Sequence, residues 1–146
     1  MKKILILFGA FYFLFGFDLT FTRAYNDFNQ GIRLTKKNPT MAYRKFKEAY
    51  QLIQQLKNKD TSQVYYMLGR MYCNGWGVKK NYKLAEKYFL KALKLGNKRV
   101  HCCLARLYFK MNRADLAEPH LKYALSHKKI ANYCNDLIQS NINKEQ

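Results

Sequence analysis

The sequence repeats itself, and this self-similarity limits the chain to a small group of folds. Residues 68–72 read Leu-Gly-Arg-Met-Tyr, and residues 104–108 read Leu-Ala-Arg-Leu-Tyr. The Leu-Ala-Glu of residues 84–86 recurs at residues 116–118, and a fainter copy of the same pattern lies in residues 28–50. Repeats spaced at roughly 30–40 residues are typical of solenoids in which each unit is a pair of helices.

Within each unit the hydrophobic residues follow helical spacing. In the central unit they lie at i, i+3, i+4 and i+7 of two successive segments, where they include Tyr65, Leu68, Gly69, Tyr72, Leu84, Ala85, Tyr88, Phe89 and Ala92. We therefore predict an all-α fold: an α/α superhelical repeat of about three antiparallel helix pairs plus a C-terminal cap helix. The predicted helices are 25–37, 40–57, 62–74, 81–95, 98–110, 113–127 and 129–140.

Helix boundaries are indicated by a few residues. Thr61 with Ser62, and Asn81, are suited to N-caps, and Gly96 is suited to ending a helix in a left-handed conformation. Pro119 falls inside the sixth predicted helix, so we expect a kink or a late helix start there.

The N-terminal segment resembles a targeting signal. Met1-Lys2-Lys3 is followed by an uncharged, mostly apolar run over residues 4–17, which is the pattern of a secretory signal peptide. We expect cleavage after Ala24 and a repeat domain over residues 25–146 in the periplasm or outside the cell. An uncleaved signal, with residues 4–21 as an inner-membrane anchor, is the alternative, and contact with a membrane is expected only in that case.

The composition is strongly basic, with 27 Lys and Arg against 9 Asp and Glu. This excess favours anionic partners, although the lysines are scattered and also suit the solvated faces of helices. Export argues against nucleic acid as the partner. If the protein binds through its overall positive charge, an anionic component of the cell envelope is the expected partner.

The central unit resembles a known family. The residues that carry the resemblance are Leu68, Gly69, Tyr72, Gly75-Trp76-Gly77-Val78, Ala85, Tyr88, Phe89, Lys91, Ala92 and Gly96. They are similar to the Sel1-like repeat, a relative of the tetratricopeptide repeat with a longer loop between its helices. The resemblance covers residues 62–96, and the following unit lacks the Gly-x-Gly-Val loop.

The resemblance implies a binding scaffold and not an enzyme. In such arrays the first helix of each pair lines a concave groove, which here would carry Tyr66, Arg70 and Cys73 in one unit and Cys102, Arg106 and Phe109 in the next. We predict that Tyr66, Arg70, Arg106 and Phe109 bind a peptide or protein partner, because paired guanidinium groups suit a carboxylate. The alternative function is an envelope-associated structural protein that binds anionic polymer or lipid.

The remaining reactive side chains indicate no catalytic, cofactor or metal site. The three histidines, His101, His120 and His127, are dispersed in the sequence, and no Cys-x-x-Cys pair is present. Because the cap helix should stack beside the helix that carries Cys102 and Cys103, we predict a disulfide between Cys134 and one of these two residues.

Overall fold

The computed structural model describes residues 19–56, 60–132 and 134. Its helices are α1 (Leu19–Leu34), α2 (Pro39–Gln55), α3 (Ser62–Asn74), α4 (Tyr82–Lys94), α5 (Val100–Lys110) and α6 (Ala114–Ser126). Residues 128–132 and 134 are also helical, and the described part of the chain contains no strand. The predicted all-α repeat fold is therefore confirmed.

The helices begin where polar side chains can satisfy their first backbone N–H groups. The side chains of Asn38, Thr61 and Asn81 accept hydrogen bonds from the backbone N–H groups of Met41, Val64 and Leu84, respectively. Such caps stabilise a helix by about 1 kcal/mol. At the other end, Gly75 follows α3 and Gly96 follows α4, both with positive φ, so glycine ends these helices at little steric cost.

The helices pack as three antiparallel pairs, α1 with α2, α3 with α4 and α5 with α6. In the first two pairs a glycine on the first helix faces a phenylalanine ring on the second, Gly31 against Phe46 and Gly69 against Phe89. A Cβ atom on either glycine would overlap that ring. The third unit has the smaller side chain of leucine at the position equivalent to Phe89, and it has alanine in place of the glycine. Each pair is thus closed by one small and one large residue.

The loop after α3 holds the second unit against the first. The Trp76 ring lies flat on Phe46 of α2, with the ring centroids 4.5 Å apart and the planes at 4°, and it meets Phe28 of α1 edge-on. Gly77, with φ of 70°, comes so close to α2 that a Cβ atom would lie 2.5 Å from the backbone nitrogen of Lys47. A residue with a side chain does not fit there.

Several details differ from the sequence predictions. Helix α1 begins at Leu19 and not at residue 25, because Ala24 is completely buried and Phe21 packs against the core. Pro119 neither delays nor ends α6, which begins at Ala114 and continues through it. Residues 135–140 of the predicted cap helix lie outside the described residues.

The predicted signal segment falls almost entirely on residues that the structure does not describe. Within residues 19–56, 60–132 and 134, no helix has the length and apolar character needed to cross a bilayer.

Candidate partner-binding face

Successive first helices α1, α3 and α5 share one face, here called the first-helix face, which carries Tyr66, Arg70, Cys103 and Arg106. Contacts join α3 to both neighbours: Arg70 lies over the Phe28 ring of α1, and α3 packs against α5. The sequence repeat places Arg70 and Arg106 at equivalent positions of successive units. The first-helix face therefore carries one arginine in each of two neighbouring units.

Arg70 lies among aromatic rings. Its guanidinium carbon is 5.0 Å from the ring centroid of Trp76, 5.5 Å from that of Tyr66 and 5.6 Å from that of Phe28. One guanidinium nitrogen also donates a hydrogen bond of 3.1 Å to the Tyr66 hydroxyl. Cation–π contacts hold the planar group in place while leaving N–H donors at its edge. Arg70 is therefore partly ordered before any partner arrives.

Arg106 is close enough to Arg70 for both to act on the same thiol. Burial raises the pKa of Cys103 to about 11, and the positive charges of Arg70 and Arg106 oppose this rise. Burial also raises the pKa of Cys73, and the positive charges of Lys110, Arg106, Lys80 and Arg70 oppose this rise. Positive potential from two successive helices therefore overlaps at this face, as recognition of an anionic group requires.

Neither arginine forms an ion pair with a carboxylate of the residues that the structure describes. In the described part of the chain the ion pairs are Arg44 with Glu48, and Lys45 with both Asp27 and Glu48, all on α1 and α2. No hydrogen bond or ion pair joins the Arg106 side chain to another of the described residues. The charge of the first-helix face is therefore open to an external anion.

The other side chains predicted for this face differ in their burial and in their neighbours. Tyr66 is partly buried beside Arg70, and burial raises the pKa of its hydroxyl. Phe109 packs between the main core and the smaller C-terminal cluster. Cys73 and Cys102 are buried, so the expectation that both are exposed in a groove is wrong. Cys102 faces the C-terminal helical residues, and its neighbour Cys103 lies near the arginines instead.

The structure pairs Cys102 with Cys134 in a disulfide, with a Cα–Cα distance of 5.5 Å. This is one of the two pairings that the sequence left open. Cys73 and Cys103 are free. The disulfide joins α5 to the C-terminal helical residues beside Ala124 and Ile130. It therefore fixes the end of the array and takes no part in the first-helix face.

The three histidines, although dispersed in the sequence, lie close together in the fold. His101 of α5 and His120 of α6 share a hydrogen bond between their Nδ1 atoms, 2.8 Å apart. The Tyr123 ring stacks on both His101 and His127. Burial lowers the pKa of His101 to about 4, with His120 contributing in the same direction. Among the described residues, no group of three or more His, Cys, Asp or Glu side chains is arranged to hold a metal ion.

Residues 62–97, which span α3, the following loop and α4, match the family model of the Sel1 repeat. The central unit of this chain is therefore a Sel1 repeat. No curated protein and no solved structure matches it. Sel1 repeats generally mediate protein–protein interaction, which supports a scaffold role for this Sel1-like protein. Proteins with Sel1 repeats are typically interaction scaffolds without enzymatic activity.

Tyr66 was predicted beside Arg70, but the other two aromatic partners of Arg70 were missed in the sequence. Phe28 lies one unit earlier in the chain, and Trp76 was assigned only to the inter-helix loop. The sequence feature that could have indicated these contacts is a tryptophan between two glycines, since glycines allow a loop backbone to approach a neighbouring helix closely. Trp76 and Val78 are both partly buried and pack against the core.

Proposed function

We propose that this Sel1-like repeat protein is an exported scaffold that binds a peptide or protein through its first-helix face. In this proposal Arg70 and Arg106 hold a carboxylate of the partner, and Tyr66 and Phe109 provide flat apolar area beside it. The observation that carries the proposal is a pair of guanidinium groups on successive helices that have no carboxylate partner among the described residues. One of the two, Arg70, is already held by three rings.

A carboxylate ligand follows from the chemistry of the arginines. The planar guanidinium group donates two parallel hydrogen bonds to a carboxylate, and hydrogen bonds between charged groups contribute about 1.5–3 kcal/mol each. Side-chain carboxylates and the C-terminus of a peptide offer the same geometry. Partners would thus be acidic peptides or proteins with an accessible chain end.

The test is a comparison of variants in a binding assay with acidic peptides. Arg70→Ala with Arg106→Ala should weaken binding at least about tenfold, the equivalent of about 1.4 kcal/mol. Because Arg70 packs on three rings, its removal should also lower stability, whereas Arg106 packs on no ring of the described residues. Arg106→Ala alone is therefore the cleaner variant, and Arg70→Lys keeps the charge while removing the forked geometry.

The matched control removes two positive charges from second helices, with Lys87→Ala and Lys122→Ala. Both side chains are exposed and lie on α4 and α6. The proposal requires this control to bind the peptide nearly as well as the unmodified protein. An equal loss in the control and in the arginine variants would show that net charge, and not the first-helix face, determines binding.

Export is the second part of the proposal, and it rests on the lysines and apolar run of residues 2–17. Cleavage after Ala24 would leave Tyr25 as the first residue. The complete burial of Ala24 within α1 supports the uncleaved alternative, because such cleavage would remove residues 19–24 from that helix. N-terminal sequencing of protein isolated from the envelope fraction distinguishes a chain that begins at Tyr25 from one that retains Met1.

A further inference from the structure

The exposed residues of α4 are almost all lysines. Five residues of this helix are exposed: Lys83, Lys87, Leu90, Lys91 and Lys94. At 100° per residue, the four lysines fall within an arc of about 80°, and they extend about 16 Å along the helix. We call these five residues the lysine face. Lys79 and Lys80 before the helix and Lys98 after it are exposed as well.

The lysine face has no acidic counterpart. None of its four lysines forms an ion pair with a described residue. Glu86 is the sole acidic residue of α4, and it accepts a hydrogen bond from the Tyr108 hydroxyl. Lys91 lies 4.9 Å from the ring centroid of Tyr65, which orders its side chain without removing its charge.

The equivalent helices of the other two units differ. Exposed positions of α2 include Gln51, Gln54 and Gln55 beside two basic residues, and its Glu48 pairs with Arg44 and Lys45. Those of α6 include two acidic residues and one lysine. Solvation alone would not require this difference, since all three helices have exposed residues. Among the second helices, exposed positive charge is therefore concentrated on α4.

Two exposed leucines lie beside the four lysines of this face. Leu90 is 44% exposed and Leu95 is 50% exposed, and on the helical wheel they lie at the two edges of the lysine arc. Apolar side chains beside lysines are typical of helices that lie in the interface of a bilayer. A polyanion such as DNA would need the lysines alone, so the leucines favour a lipid surface.

We propose that the lysine face binds the surface of an anionic phospholipid bilayer, with the lysines at the headgroups and Leu90 inserted between them. This function goes beyond the proposed peptide binding, because the lysine face belongs to a second helix and not to the first-helix face. A lysine close to an anionic bilayer contributes about 1 kcal/mol, or about fivefold in partition.

The test uses a tryptophan as a fluorescent reporter in the lysine face of the full-length protein. Leu90→Trp is prepared beside Leu125→Trp, which changes an equally exposed leucine on α6. Vesicles contain brominated phosphatidylcholine either alone or mixed with phosphatidylglycerol. We expect bromine to quench the fluorescence at position 90 much more strongly than that at position 125, only with phosphatidylglycerol present, and less as salt is added. A position-specific signal is needed because residues 4–17 are themselves apolar.

Charge-matched variants in the Leu90→Trp background complete the test. Changing Lys83, Lys87, Lys91 and Lys94 to Gln should abolish this quenching, with at least about a 100-fold loss of partition. The control changes Lys36, Lys37, Lys47 and Lys122 to Gln and should keep the quenching. Equal loss in both variants would overturn the proposal. So would equal quenching at positions 90 and 125, or tight binding of duplex DNA through the same four lysines without quenching at position 90.

Discussion

The close approach of the Gly77 backbone to α2 predicts a large loss of stability in Gly77→Ala. Two effects contribute. The first is conformational, since φ is 70° and alanine in the left-handed region costs about 1–2 kcal/mol. The second is steric, since the new Cβ would lie 2.5 Å from the backbone nitrogen of Lys47 and 2.6 Å from the carbonyl carbon of Phe46.

The steric effect reaches the contact between the first two units. To return the Cβ to ordinary contact the loop must retreat by almost 1 Å, and Trp76 moves with it away from Phe46. Loss of this stacked pair costs about 0.5–1.5 kcal/mol in addition to the lost burial. We therefore expect Gly77→Ala to lower the free energy of unfolding by about 3 kcal/mol, and the Tm by about 6–12 °C for a chain of this length.

Gly75→Ala is the matched control, because it has nearly the same φ, 72°, but free space around the new Cβ. The nearest atom would be the Cβ of Lys80, at an ordinary 3.6 Å. The control should lose only the conformational part, about 1–2 kcal/mol. Urea unfolding followed by far-ultraviolet circular dichroism measures both variants. Equal destabilisation would refute the inference that this loop packs directly on the backbone of α2.

Three further predictions test other parts of the structure. Gly69→Ala should cost about 1–3 kcal/mol by forcing the Phe89 ring to move, and Phe89→Leu should be less harmful in that background than alone, which a double-mutant cycle in urea measures. The folded-state pKa of His101 is about 4, below the ordinary 6.5, so the neutral form of this residue stabilises the fold above pH 6.5. This stability should be lost as the pH falls from 6.5 towards 4, and His101→Gln should flatten the decline in Tm over that range. Cys102→Ser should lower stability by about 3–4 kcal/mol under oxidising conditions, since the disulfide to Cys134 closes a loop of 32 residues, and mass spectrometry that finds four free thiols in protein from an oxidising compartment would contradict the pairing.

The repeat fold could be predicted because it depends on local patterns. Small and large residues recur at helical spacing, as with Gly69 and Phe89, and each cap depends on one or two residues next to the helix end. The predicted bounds of α3 agree with the structure, and those of α4 differ by one residue at each end. The start of α1 could not be predicted, because Ala24 is held by packing against the core and not by a local signal.

Contacts between units were harder to derive from the sequence. Trp76 stacks on a residue thirty positions earlier, and no local pattern encodes that distance. The contact between His101 and His120 was easier to predict from the sequence. His101 and His120 lie at similar distances on either side of the turn between α5 and α6, so an antiparallel helix pair brings them together. Treating the three histidines as separate overlooked this geometry.

The most direct test of the central claim is a map of where an acidic peptide binds. Hydrogen exchange followed by mass spectrometry, with a peptide selected for binding to the full-length protein, reports the protected segments. The proposed function predicts protection of α3 and α5 around Arg70 and Arg106, loss of this protection in Arg106→Ala, and reduced affinity when the peptide carboxylates are amidated. Protection confined to α2, α4 and α6, unchanged in Arg106→Ala, would contradict it.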